Sequence, residues 1–193
     1  SEILCRSLGL DLGSRGVGTP GIKQESDADE SNAELLVQPQ ISMYRSCAAR
    51  CNFLSLDRPD IQFAAKEVCR KMANPTRGDW VSPKRIARYL KGAPRARLFY
   101  PFQGVQRGFT VWVDTDFAGC HVTRRSTSGG AACRGQHLVK HWSTTQSTVA
   151  LSSAEAELTG ISKGAAQGLG LQSIAADLGI SLSLRVMSDA TAA

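Results

Sequence analysis

The hydrophobic period of this chain changes from helical to strand-like at Gly108, and that change constrains the fold more than any other feature. Between residues 41 and 91 the apolar positions follow a helical spacing. Tyr44, Cys47, Ala48, Cys51 and Leu54 form one such series, and Ile61, Ala64, Ala65, Val68 and Met72 a second. From Gly108 the period drops to two. Phe109, Val111 and Val113 alternate with Thr110, Trp112 and Asp114, as the two faces of a strand require. A helical unit followed by a mixed α/β unit is the expected architecture.

Local signals refine that expectation. Asp57 is in position to cap a helix, with Pro59 in its first turn and Asp60 at the capping-box place. A third, basic helix is expected over 76–90, kinked at Pro83 or restarted at Ser82-Pro83, and ended by Gly92-Ala93-Pro94. Two more strands are expected around 127–133 and 138–143, with the turn at Gly135-Gln136. Ser152-x-x-Glu155 is a capping box that opens a long Ala-rich helix ending at Leu178-Gly179. A last strand, 182–187, leads into Ser188-Asp189. Residues 1–40 read as an irregular, solvated linker: SRGVGTPGIK is turn-rich and KQESDADESNAE is a polar acidic run. Three regions follow, 1–40, 41–105 and 106–193.

Composition narrows the class. With 193 residues, 42% hydrophobic and 21% charged, the chain matches globular averages and not those of disordered, collagenous or coiled-coil sequences. No apolar run approaches the roughly 20 residues that span a bilayer, so no membrane partner is expected. The six cysteines include no CxxC pair, and Cys47 and Cys51 have no histidine at zinc-finger spacing. They are expected to be buried free thiols in a reducing, intracellular compartment. The start lacks both Met and an apolar signal segment, which leads us to expect a piece of a longer, non-secreted protein.

Charge suggests chemistry. Asp114 ends the first strand, Glu157 lies in the first turns of the long helix, and Asp189 ends the last strand. Carboxylates crowded at one sheet edge repel unless divalent cations neutralise them. Two such cations about 4 Å apart are the usual apparatus of phosphodiester cleavage. Spacing alone leaves caps and solvated acids as the commoner account of the same residues. Asp116 reads as part of the strand face or the following turn, and Glu155 as the capping carboxylate. The 23 Lys and Arg against 17 Asp and Glu give a net charge of +6. Arg70, Lys71, Arg77, Lys84, Arg85, Arg88, Lys91, Arg95 and Arg97 cluster, with Asp79 almost the only acid among them. Such a stripe either binds phosphates through counterion release or is a solvated basic face.

Longer motifs add a family. VWVDTDFAGC, RRSTSGG, HWSTTQSTVALSSAEAEL and LRVMSDATAA, in that order, resemble the ribonuclease H domain of copia-type long-terminal-repeat retrotransposons. VGTPGIK, MYRSCAARCNFLSLDRPDIQFAAKEVCRKMANPTRGDW and KRIARYLKGAPRARLFY resemble the end of the reverse transcriptase in the same Pol polyproteins. The resemblance implies a ribonuclease H-like mixed sheet: three antiparallel strands, a helix and a further strand. Before it would come a small thumb or connection unit and the end of the palm. It also implies metal-dependent hydrolysis of RNA in an RNA–DNA hybrid, with Asp114, Glu157 and Asp189 as catalytic ligands of two Mg²⁺ ions, for which Mn²⁺ can substitute. No small-molecule cofactor is implied. Lys84, Arg85, Arg88 and Lys91, and Arg124, Arg125, Ser126 and Thr127, are the implied nucleic-acid contacts. The implied partners are the hybrid and the rest of the polyprotein, palm and integrase included, in a cytoplasmic virus-like particle or the nucleus.

The sequence departs from the family pattern in places. The family continues past the last strand with a helix, a strand and one more acidic ligand, so we expect the domain to be truncated at Ala193. The polymerase Asp pair is expected to lie before Ser1. Cys120 stands where an acid is usual and Gly130 where an aromatic is. The stretch GAAQGLGLQS stands where the family carries Glu and a large apolar residue, and Gly160, Gly164, Gly168 and Gly170 each cost about 1 kcal/mol against Ala within a helix. These changes leave two alternatives to an active nuclease: an inactive hybrid-binding remnant, or a fragment without function.

Overall fold

The computed structural model describes residues 2–10, 13–21 and 33–189, in two units that meet between Arg97 and Leu98. The acidic run from Lys23 lies outside the described residues except for Ala33 and Glu34.

The first unit is helical: α1 (Glu2–Ser7), α2 (Gln40–Leu54), α3 (Gln62–Arg70) and α4 (Val81–Gly92), with 3₁₀ turns at Pro59–Ile61 and Gly78–Trp80. One spacing builds its core three times. Tyr44, Cys47, Ala48 and Cys51 are buried, as are Ile61, Ala64, Ala65 and Val68, and Pro83, Ile86, Ala87 and Leu90. Each series runs i, i+3, i+4, i+7, which is one face of a helix. The small residue inside each series lets the helices approach closely. Burial of Ile61, Ile86 or Leu90 is worth roughly 1.5–3 kcal/mol each. Tyr44 is fully buried, donates to the Val68 carbonyl at 3.1 Å and stands edge-on to Trp80. Burial pushes the thiols of Cys47 and Cys51 up, that of Cys51 to about 12.

Three expectations for this unit are corrected. The segment before residue 40 is not irregular throughout. Leu4 in α1, Leu8 just after it, and Leu36 are buried in the helical core. Their apolar spacing was too short to register as a period. Asp57 caps nothing, and Asp60 closes no capping box. Asp60 instead receives both arms of Arg58, at 2.9 and 2.7 Å, and the Tyr89 hydroxyl at 2.8 Å. Arg58 also donates to the Ala93 carbonyl, which ties this turn to the end of α4. The third helix starts at Val81, after a 3₁₀ turn, so Pro83 sits in its first turn, where a missing N–H costs nothing. Buried Asp79 accepts from the Thr76 N–H and hydroxyl just before that turn.

The second unit is α/β. Its four-stranded mixed sheet has the order β3-β2-β1-β4. The strands are β1 (Gly108–Asp116), β2 (Thr127–Arg134), β3 (His137–Thr145) and β4 (Ser183–Ser188), with α5 (Ser153–Asp177) between β3 and β4. The first three strands are antiparallel neighbours, and β4 runs parallel to β1. Gly135 holds a positive φ of 60° at the tight β2–β3 turn, and Gly179, at 76°, ends α5. Ser152 caps α5, its hydroxyl accepting from the Glu155 N–H at 3.1 Å. Glu155 reaches back one residue further than expected, to the Leu151 N–H.

Three of the four glycines of α5 are contact residues. Gly160, Gly164 and Gly168 are buried against the sheet. A Cβ at each would fall well under 3.0 Å from Thr115, Val113 and Leu184 respectively. Only Gly170 faces open space. Gly130 has the same kind of reason. It pairs with Trp142 across β2 and β3, and the indole ring occupies the room its side chain would take. Trp142 is thus buried, whereas Trp112, on the face of β1 opposite Val111 and Val113, is 54% exposed.

Candidate metal centre

Parallel pairing brings Asp114 and Asp189 together. The last paired residues of β1 and β4 are Val113 and Ser188, and Asp114 and Asp189 are one step further along. α5 crosses β1 at glycine distance and carries Glu157 one turn before Gly160. One carboxylate oxygen from each of Asp114, Glu157 and Asp189 lies within 4.8 Å of the others. Three distant points of the sequence therefore meet at one end of the sheet.

The electrostatics are those of an unneutralised cluster. Asp114 and Asp189 are exposed and Glu157 is half-buried. Burial pushes the Glu157 carboxyl above its ordinary range, and the charges of Asp114 and Asp189 push it in the same direction. Its Oε2 is buried with no hydrogen-bond partner among the described residues. Buried polar atoms are rarely left this way. A hard divalent cation takes oxygen donors of this kind, so the residues present fit Mg²⁺ or Mn²⁺.

The neighbouring acids have other duties. Asp116 accepts from the Thr127 N–H and fills the space beside Gly119, so it closes the β1–β2 connection. Glu155 is held by the Leu151 N–H.

The residues expected to contact nucleic acid fare unequally. Arg124 and Arg125 are exposed on the β1–β2 connection, where Arg124 takes a φ of 56°. Ser126 is fully buried and Thr127 is 8% exposed. The Ser126 hydroxyl accepts from the Ala118 N–H at 3.0 Å, which leaves it no route to a phosphate. In the first unit Lys84 is exposed and Lys91 half-buried. Arg85 donates to the Thr19 hydroxyl at 2.7 Å and Arg88 to the Arg15 carbonyl at 3.0 Å. These two arginines fasten the turn-rich segment onto α4 and so are not simply an open stripe. Arg70, Lys71 and Arg77 lie against Glu67, Asp79 and Glu34.

Sequence reasoning passed over Gln146. It is 6% exposed just past β3, inside the polar string STTQST, which carries no periodic signal.

Among the described residues no helix is long and apolar enough to cross a membrane. No protein-family model matches the chain, and no solved structure matches it. Curated relatives do. The uncharacterized mitochondrial protein AtMg00810 of Arabidopsis thaliana is 36% identical over 129 residues, 67% of this chain and 53% of that protein. The retrovirus-related Pol polyprotein from transposon RE2 of the same plant is 30% identical over 75% of this chain and 10% of the polyprotein. That from transposon RE1 is 31% identical over 72% of this chain and 9% of its own length. The chain thus spans about half of the first relative and about a tenth of each polyprotein. It belongs to the retrovirus-related Pol polyproteins of copia-type retrotransposons.

Proposed function

We propose that the second unit is a ribonuclease H-like nuclease module that cleaves the RNA strand of an RNA–DNA hybrid. The first unit is then the thumb or connection end of the reverse transcriptase. One observation carries the reading: Asp114, Glu157 and Asp189 converge within 4.8 Å from two parallel strands and the helix that crosses them. The sequence of three antiparallel strands, a helix and a parallel strand supports it.

Asp114 and Asp189 hold one side of the site from the rigid sheet, and Glu157 closes the other from α5. These three carboxylates would hold divalent cations, whose chemistry when bound would be activation of a water and stabilisation of the leaving oxygen. Glu155 and Asp116, bonded to backbone N–H groups, stay out of the ligand set. Arg124 and Arg125, on the exposed β1–β2 connection, are placed to meet phosphates without reading bases. The 2′-hydroxyls and groove shape distinguish a hybrid from duplex DNA.

The test is cleavage of an end-labelled RNA–DNA hybrid with Mg²⁺ or Mn²⁺, beside Glu157→Gln and Asp114→Asn. Cleavage of the RNA strand that both substitutions abolish is the expected result. Undiminished cleavage by either variant overturns the site. Salt-sensitive hybrid binding without cleavage by the wild type makes the chain a binder instead.

A further inference from the structure

We propose that Gln146 is a positioning residue that sets the place of Glu157 relative to Asp114. The inference rests on the metal-site reading above and deepens it.

Gln146 joins three elements from a buried position. Its backbone N–H donates to the Ser126 carbonyl at 2.8 Å, at the entrance to β2. Its side-chain Nε2 donates to the Ser128 hydroxyl at 2.9 Å, on β2, and to the Ala156 carbonyl at 2.9 Å, in the first turn of α5. A carbonyl only accepts, so the amide nitrogen must face Ala156, and that fixes the orientation of the side chain. Both ends of the clamp lie next to a ligand. Ala156 precedes Glu157 in the chain. Ser128 pairs across the sheet with Thr115, which follows Asp114, while Gly129 pairs with Asp114 itself.

The helix reaches the clamp because Gly160 has no side chain. Thr115 and Ser128 both lie against the place where a Gly160 Cβ would be. Ser128 is 1% exposed and Gln146 6%, so water does not compete for these bonds. Close packing sets how near α5 comes to the sheet. The directional amide bonds set how far along it the first turn sits, and therefore where the Glu157 carboxylate falls. Residues that orient metal ligands in this way typically govern metal affinity by 10–100-fold.

The experiment measures Mn²⁺ affinity by electron paramagnetic resonance on the whole chain, well below its unfolding temperature. Gln146→Met keeps the size and removes both donors. It is expected to weaken Mn²⁺ binding roughly 10–100-fold. Ser128→Ala removes one acceptor, leaves the Ala156 bond in place, and is expected to weaken binding less. Phe109→Ala is the control for destabilisation. Phe109 packs with Ala175 and Leu182, and it lies five steps along the strand, roughly 17 Å, from Asp114. It should lower the unfolding temperature while leaving the affinity at the wild-type value. Wild-type affinity in Gln146→Met, or an equal loss in Phe109→Ala, overturns the positioning role alone. Absence of Mn²⁺ binding by the wild type brings down the metal site, and the role of Gln146 with it.

Discussion

The two units treat their carboxylates in opposite ways. In the helical unit Asp60 lies against Arg58, Glu67 against Lys66 and Arg70, Asp79 against Lys71, and Glu34 against Arg77. In the sheet unit Asp114, Glu157 and Asp189 lie against one another. The carboxyl groups respond accordingly. The Arg58 guanidinium holds Asp60 below its ordinary range. Glu67 is pushed up by burial, but Lys66 and Arg70 outweigh that and leave it lowered. Glu157 is raised by burial and by its acidic neighbours. Paired acids meet an opposite charge, whereas gathered acids repel one another and cost stability until something neutralises them.

The largest test of this contrast is the response to Mg²⁺. At a hundredfold excess over its dissociation constant, a cation bound only by the folded state stabilises it by about 2.7 kcal/mol. Thermal unfolding should show that gain in the wild type and little of it in Glu157→Gln, while Asp60→Asn keeps it. An equal gain in Glu157→Gln would remove the distinction between the two sets of acids.

Next comes the pair itself. Arg58→Met removes a buried guanidinium, strips the exposed Asp60 of its two charged hydrogen bonds and frees the end of α4. The expected loss is about 2 kcal/mol in denaturant unfolding, with Mn²⁺ affinity unchanged. A loss near zero would place this pair among ordinary surface salt bridges.

Packing sharpens the contrast within α5. Gly164→Ala should cost about 1–3 kcal/mol, because the new methyl group meets Val113, whose branched side chain has little freedom to move. Gly170→Ala meets nothing and should stabilise the helix by up to about 1 kcal/mol. Equal effects at the two sites would mean that the helix does not rest on the sheet at residue 164.

The smallest effect is one of sign with pH. Asp60 is lowered from 3.8, so the stability it contributes is present above that pH and is lost as pH falls through the lowered value. Glu157 is raised from 4.5, so the folded state keeps a proton that the unfolded chain releases. Its contribution therefore worsens as pH rises above 4.5. Without divalent cations, Glu157→Gln should raise the unfolding temperature at pH 7 and change it little at pH 4. Asp60→Asn should lower it at pH 7.

Much of the fold was legible because its signals are local. The series at 44–51 and 61–68, the alternation from Phe109, Ser152 as a cap and Gly179 as a stop all depend on neighbours within a few residues. The corrections come from partners distant in sequence. Asp60 has the pattern of a capping residue until Tyr89 arrives from α4. Ser126 looks like a surface hydroxyl until Ala118 folds over it. Trp112 alternates correctly, but nothing among the described residues covers it enough to bury it. The three acids were visible through the resemblance, since spacing alone could not tell ligands from caps. Gln146 had no sequence signal because its role exists only once β2 and α5 are side by side.

Gly130 and Trp142 have a consequence for how relatives of this chain can change. One slot against the sheet is filled by the Trp142 ring, and a side chain at residue 130 would compete for the same room. An aromatic at residue 130 requires that Trp142 first give way, and a smaller residue at 142 leaves a void until residue 130 grows. The two positions can be exchanged only by passing through a clash or a cavity. Sequences on either side of that exchange will look as if each has lost a residue the other kept.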